Sequence, residues 1–159
     1  IMASQEIVFE IISDGAGLRT ARYQDGRIEY GGILYDELFF EAKTLSTMFA
    51  DTSFILKNRK YAGSLRITVS DGKLLATNII GIEDYLLSVM TAELSVSCED
   101  SDLLEERTIA VRSALMSSLR EESPQNYYGL TIPVDRNVRS AVDRTWGKIS
   151  GNGPQVCDL

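Results

Sequence analysis

The chain has 159 residues, of which 23 are acidic and 16 are basic, and it contains no histidine. Its formal charge of −7 argues against nucleic acid or an anionic membrane as the main partner, because both bind basic surfaces. Without histidine, the chain cannot supply the base of a Ser-His or Cys-His pair, or a histidine ligand for zinc. Any catalysis by this chain therefore depends on carboxylates, arginine, tyrosine, serine or cysteine.

Neither the first residues nor the cysteines indicate a compartment. Residues 1–3 are not the start of a basic segment followed by an apolar one, and no run approaches the roughly 20 apolar residues of a membrane span. Cys98 and Cys157 lie far apart and have no metal-ligand spacing. They are compatible with a disulfide, with two free thiols, or with one zinc ligand completed by residues beyond the end of the chain.

The first eighty residues have the pattern of β-strands. Asp25-Gly26 and Asp71-Gly72 each separate two β-rich stretches by two residues, which is the signal of a tight hairpin. The second of these hairpins also shows strict alternation of apolar and polar residues. We expect strands over 6–12, 18–24, 27–30, 64–69 and 73–78, and one or two more within 33–45.

The pattern changes to helical spacing after Asn78. Residues 82–93 predict a helix with acidic residues in its first turn, where the helix dipole favours them. A second helix is expected over 102–120, capped by Ser101 or Asp102, and a short one around 138–145. The predicted fold class is therefore α+β, with a strand-rich N-terminal half containing hairpins, then two amphipathic helices and a loop-rich C-terminal segment.

Glu93 is the first candidate for chemistry. It lies three residues after Met90 and seven after Leu86, which places it on the apolar face of the predicted helix. A carboxylic acid against an apolar wall stays protonated near neutral pH and is able to donate a proton. The alternative is a glutamate that caps the helix end, pairs with a cation or turns toward solvent.

Arg112 is the second candidate, because it falls on the apolar side of the second helix. A buried guanidinium requires an acceptor, and Glu93 or Glu83 on the neighbouring helix is suited to that role. The alternative is an arginine that extends along the helix edge to reach water. Tyr127 and Tyr128, followed by Gly129, are suited to lining a groove or to ordinary packing.

Several of these elements occur in the order of a known family pattern. Tyr61-Ala62-Gly63-Ser64-Leu65 opens a hairpin that ends in Asn78, and Ile82-Glu83-Asp84-Tyr85-Leu86, Ala92-Glu93-Leu94 and Arg107 to Arg112 follow. Gln125-x-Tyr127-x-Gly129 and Ala141-Val142-x-x-Thr145-x-Gly147 come later. Over residues 60–156 the chain resembles the SpoIID/LytB family, the stage II sporulation protein D and amidase-enhancer group.

The resemblance implies a lytic transglycosylase of the bacterial cell envelope, outside the cytoplasm, that cuts peptidoglycan glycan strands. It implies Glu93 as the catalytic residue. Arg112, Tyr85, Tyr127 and Glu83 would bind or position the substrate, and a cell-wall amidase is a further expected partner. It divides the chain into a strand-rich lead-in, 1–59, and a SpoIID/LytB-like domain, 60–159.

The chain also departs from the family pattern. Ala62, Arg107, Ala92 and Leu94 replace the usual arginine, glutamine, serine and methionine. The sequence stops at Leu159, before the family's Cys-Gly-Gly segment, so we expect a fragment or a shortened relative. No cofactor is expected from this chain alone, and zinc only if a following segment supplies ligands. The alternative function is a non-catalytic peptidoglycan-binding module or a modifier of a cell-wall amidase.

Overall fold

The computed structural model describes residues 2–12, 15–41, 53–93, 100–120 and 135–150. The chain divides into two compact units, Ile1–Gly81 and Ile82–Leu159. The resemblance to a known family begins at residue 60, whereas the division between the units falls after Gly81. The strands of residues 59–79 pair with strands from the first 56 residues or with each other, so they are part of the first unit.

The first unit consists of two antiparallel sheets. One has the strand order β1-β10-β9-β6, and the other has the order β5-β4-β3-β2-β7-β8. The strands are β1 (Met2–Ser4), β2 (Glu6–Ile11), β3 (Leu18–Gln24), β4 (Arg27–Tyr30), β5 (Ile33–Tyr35), β6 (Leu38–Phe40), β7 (Ser53–Leu56), β8 (Arg59–Ala62), β9 (Ser64–Ser70) and β10 (Lys73–Ile79).

Both predicted hairpins are confirmed in register. Gln24 pairs with Arg27 across Asp25-Gly26, and the same arrangement recurs between β9 and β10 across Asp71-Gly72. In both turns the aspartate and the glycine have positive φ, which is what a two-residue turn requires to match the twist of its strands.

The tight hairpin β7–β8 was not predicted. Its two turn residues, Lys57 and Asn58, have φ values of +49° and +61°. Neither is glycine, so this turn lacks the residue found in the turns at Asp25-Gly26 and Asp71-Gly72. Tertiary pairing of β7 with β2 over-rides the local preference of Lys57.

One hydrophobic core is shared by strands of both sheets. Ile7 and Phe9 of β2, together with Leu65 and Ile67 of β9, are at most 1% exposed. The phenyl rings of Phe9 and Phe40 lie 5.0 Å apart, and the rings of Phe54 and Tyr61 stack at 5.3 Å. Leu74 and Ala76 of β10 belong to the same core, and β10 pairs with β1, so the segment up to residue 79 is part of the first unit.

The corner between β8 and β9 is closed by Asn78 and Gly63. The Asn78 side-chain nitrogen donates to the carbonyl oxygens of Ala62 at 2.8 Å and Ser64 at 3.3 Å. Gly63, which lies between them, has a φ of +86° and packs directly against the backbone of Ile79. Both residues belong to motifs of the family resemblance, and here both fix the backbone of the first unit.

Gly63→Ala is expected to destabilise the first unit by about 1–3 kcal/mol, because a methyl group would strain the backbone and meet the carbonyl oxygen of Ile79. The matched control is Gly72→Ala: Gly72 has a φ of +69°, but a methyl group added there would come no closer than 3.9 Å to the Tyr23 hydroxyl. Urea unfolding followed by the β-sheet circular dichroism signal measures both. If both variants lost the same free energy of unfolding, the close packing of Gly63 against Ile79 would have no effect on stability.

The part of the second unit that the structure describes is helical. It contains α1 (Ile82–Glu93), α2 (Ser101–Arg120) and α3 (Arg136–Arg144). With the two sheets before them, these helices confirm the predicted α+β class and its strand-rich N-terminal half. Among the described residues, none of the helices combines the length and the apolar character that crossing a membrane requires.

The cap of α2 was predicted wrongly. Asp100, and not Ser101 or Asp102, accepts hydrogen bonds from the amides of Asp102 at 3.0 Å and Leu103 at 3.3 Å. The helix therefore begins one residue earlier than expected. Asp135 caps α3 in the same manner, through the amides of Asn137 and Val138.

Candidate functional site

A buried ion pair joins α1 to α2. Arg112 Nε donates to Glu83 Oε1 at 2.9 Å, and Arg112 Nη2 donates to Glu83 Oε2 at 2.7 Å. The Arg112 side chain is 2% exposed and that of Glu83 is 16% exposed. This two-bond geometry is the strongest arrangement available to an arginine and a carboxylate.

Arg112 also binds the segment that follows α3. Its Nη1 donates to the carbonyl oxygen of Lys148 at 3.0 Å, and both Nη atoms lie 3.4 Å from the hydroxyl oxygen of Thr145. The Thr145 hydroxyl in turn donates to the carbonyl oxygen of Ala141 at 2.7 Å. One guanidinium therefore links α1, α2 and the turn after α3, and we call these residues (Glu83, Arg112, Thr145 and Lys148) the arginine cluster.

The sequence of α2 explains why Arg112 is buried. Leu104, Thr108 and Leu115 are also buried and, with Arg112, follow one another at intervals of three or four residues, which places them on one helix face. The predicted position of Arg112 on this face is confirmed. Leu119, four residues after Leu115, is 49% exposed, so the buried face ends before the last turn of α2.

Glu93 is the last residue of α1. Its backbone is helical, and its side chain lies outside the described part of the structure. Glu83 and Glu93 are ten residues apart, which corresponds to about 15 Å along a helix axis. The structure thus pairs Arg112 with Glu83, one of the two expected partners, at the end of α1 opposite to Glu93.

The two tyrosines predicted to shape a groove differ in what the structure describes. Tyr85 lies on α1, two residues after Glu83 of the arginine cluster, and is half-buried. Tyr127 and its neighbour Tyr128 lie in residues 121–134, outside the described residues. Cys98 and Cys157 also lie outside the described residues.

Asp84 lies in the first turn of α1, directly before Tyr85. Partial burial raises the pKa of its carboxyl; Arg139 of α3 opposes this effect, and Glu83 adds to it. A raised pKa means that the folded chain holds the proton more tightly than the unfolded chain. Asp84 therefore costs stability as the pH rises from its ordinary pKa through the folded value.

Asp84→Asn removes this pH-dependent cost. We expect the free energy of unfolding of the variant, relative to the original chain, to increase as pH rises across that interval. The change is expected to stay below about 1 kcal/mol because the Asp84 carboxyl is only partly buried and water screens its charge. Urea unfolding at a series of acidic to neutral pH values measures it, and a difference that does not change with pH would contradict the assignment.

Thr145 and Lys148 are members of the arginine cluster to which the sequence analysis gave no role. Thr145 continues the spacing of Val138, Ala141 and Val142, three buried residues of α3. A polar residue on this apolar helix face was the feature of the sequence that could have indicated a buried hydrogen bond at Thr145. Lys148 contributes only its backbone carbonyl, for which side-chain patterns give no signal.

Within the described ranges, no three cysteine, aspartate or glutamate side chains lie close enough together to hold a metal ion. Comparisons of the chain with protein-family models, with curated proteins and with solved structures gave no match.

Proposed function

We propose that this chain cleaves peptidoglycan glycan strands by a lytic transglycosylase reaction, with Glu93 as the single general acid and base. The observation that carries the proposal is the position of Glu93 at the C-terminal end of α1, a helix that the buried Glu83–Arg112 pair holds to α2. The order of sequence motifs that resembles the SpoIID/LytB family is its second support.

The end of α1 is electrostatically suited to an acid. A helix C-terminus carries a partial negative charge, which favours the neutral form of a carboxylic acid over the carboxylate. The last turn of α1 contains no basic residue that would offset this field. We propose that this field assists Glu93 as the proton donor.

The reaction needs one carboxyl group. Glu93 donates its proton to the glycosidic oxygen as the bond to C1 of the muramyl sugar breaks. The resulting carboxylate then takes the proton of the same sugar's C6 hydroxyl, whose oxygen bonds to C1 and closes an anhydro ring. No water is consumed, and Glu93 ends in its starting form, in contrast to the paired carboxyl groups of ordinary glycosidases.

In this proposal, the arginine cluster holds in place α1, the helix that carries Glu93. Arg112 is 2% exposed, so we assign it to holding α1 against α2 and not to touching the glycan directly. Glu83 has the same positioning role. Tyr85 and Tyr127 are proposed to contact the sugar chain, since tyrosine offers an apolar face and a polar tip.

The substrate places the proposed reaction outside the cytoplasm, in cell-wall remodelling or a sporulation-type process. The test is to incubate the purified chain with glycan strands stripped of their stem peptides and to analyse the products by mass spectrometry. New anhydro-muramyl ends are expected. Retention of the strands without turnover would contradict the proposal and favour the alternative of a non-catalytic wall-binding module or amidase modifier.

A further inference from the structure

The turn after α3 presents an aromatic side chain to solvent. Trp146 is 68% exposed and is the only tryptophan in the chain. Indole is the largest apolar side chain, and its exposure leaves both an extended flat face and an N–H donor open to a ligand. Neither the proposed acid nor the arginine cluster uses this side chain.

The backbone that carries Trp146 is firmly held. The Trp146 amide donates to the carbonyl oxygen of Asp143 at 3.4 Å, and the Lys148 amide donates to the carbonyl oxygen of Thr145 at 2.9 Å. Arg112, itself buried, donates to the Lys148 carbonyl at 3.0 Å. The indole therefore projects from a turn that is anchored on both sides, and a ligand that binds it does not have to order the backbone first.

A second anchor lies two residues beyond this turn. The amide and the hydroxyl of Ser150 lie 2.8 Å and 2.9 Å from the hydroxyl oxygen of Ser113 on α2. Arg112 and Ser113, adjacent in α2, thus bind Lys148 and Ser150 respectively. The segment that carries the exposed Trp146 is therefore fixed to α2 at two successive points.

The chain neighbours of Trp146 indicate what kind of ligand fits it. Asp143, Arg144, Gly147 and Lys148 are all exposed, so the indole is flanked along the chain by charged and small residues. A protein partner is usually met by a contiguous apolar patch of several hundred Å². One rigid aromatic ring with polar groups beside it suits a small amphipathic unit such as a sugar ring, which has an apolar C–H face and a rim of hydroxyl and amide groups.

We infer that Trp146 is a stacking platform for an N-acetylated hexose ring of a β-linked glycan. The inference rests on the proposed function, because it takes the glycan substrate as the ligand. It adds a binding residue on the turn after α3. The anchoring of that turn by Arg112 gives the arginine cluster a second task, which is to hold the platform in place.

The single tryptophan makes the test direct. Chitohexaose, the β-1,4-linked hexamer of N-acetylglucosamine, is titrated into the full chain while tryptophan fluorescence is recorded. We expect a saturable blue shift, because stacking removes the indole from water. Trp146→Ala is expected to weaken chitohexaose binding, measured by calorimetry, about three- to tenfold. Trp146→Phe, which keeps an aromatic face, is expected to weaken it less.

The matched control is Leu103→Ala on α2, which removes another exposed apolar side chain (53% exposed) of the same unit and should leave binding unchanged. Circular dichroism verifies that each variant is folded. Unchanged fluorescence on titration, or equal affinity of Trp146→Ala and the original chain, would overturn the inference even where anhydro products are formed. Saturable binding at Trp146 without any glycan cleavage would support the inference and contradict the proposed function.

Discussion

Replacing Glu83 by glutamine is expected to lower the free energy of unfolding of the second unit by about 3–5 kcal/mol. The substitution preserves the size of the side chain but removes the charge that compensates Arg112. Since the Arg112 side chain is only 2% exposed, its guanidinium has no access to bulk water in the fold. An unpaired charge is then buried, which is among the most destabilising changes that a single substitution can make.

Replacing Arg112 instead of Glu83 is expected to lower the free energy of unfolding by less. Arg112→Met leaves Glu83 without its partner, but the Glu83 side chain is 16% exposed and can be reached by water. The double variant Glu83→Gln with Arg112→Met is expected to lose less stability than the sum of the two single variants, because it leaves no uncompensated buried charge. Urea unfolding followed by the helical circular dichroism signal measures all three.

Arg144→Met provides the matched control. Arg144 forms an ion pair with Glu105 at 3.4 Å between α3 and α2, and its side chain is 61% exposed. Exposed pairs of this kind contribute less than about 1 kcal/mol. If Glu83→Gln were no more destabilising than Arg144→Met, the arginine cluster would not be what holds the helices together.

Replacing Glu93 by glutamine is expected to lower the rate of glycan cleavage by about 10²–10⁴-fold, the usual contribution of one general acid and base. Glutamine keeps the shape of the side chain and loses the exchangeable proton. Because the proposed mechanism uses the same carboxyl group in both steps, no second group is expected to restore activity. Release of anhydro-muramyl products, followed by mass spectrometry over time, measures the rate.

Glu106→Gln is the control for this substitution. Glu106 is an exposed glutamate on α2 and has no role in the proposed reaction, so this variant should cleave at the original rate. Similar helical circular dichroism signals for the two variants would exclude unfolding as the cause of any difference. Equal cleavage by Glu93→Gln and Glu106→Gln would remove Glu93 from the mechanism.

Local signals in the sequence were sufficient for much of the fold. The hairpins at Asp25-Gly26 and Asp71-Gly72 were predicted because glycine and aspartate tolerate the positive φ of a tight turn. The turn at Lys57-Asn58 could not be predicted in this way, since its conformation is imposed by the pairing of β7 with β2 and β8. The cap at Asp100 was missed by one residue because several residues around it are able to cap a helix.

The arginine cluster shows what sequence periodicity can and cannot predict about a site. Helical spacing placed Arg112 on the buried face of α2, and the need of a buried charge for a partner restricted the partner to Glu83 or Glu93. Spacing alone could not choose between them, because the choice depends on how α1 and α2 cross. The contribution of the Lys148 carbonyl depends on the backbone course after α3, which no side-chain pattern records.

In the proposed reaction, one glutamate cleaves the glycan without adding water. The most direct test of this reaction is cleavage of denuded strands in water enriched in heavy oxygen, with mass spectrometry of the new chain ends. Anhydro-muramyl ends that contain no heavy oxygen are expected, because the C6 oxygen of the sugar closes the ring. New reducing ends that carry heavy oxygen would contradict it, since they require an attacking water and a second group to activate it.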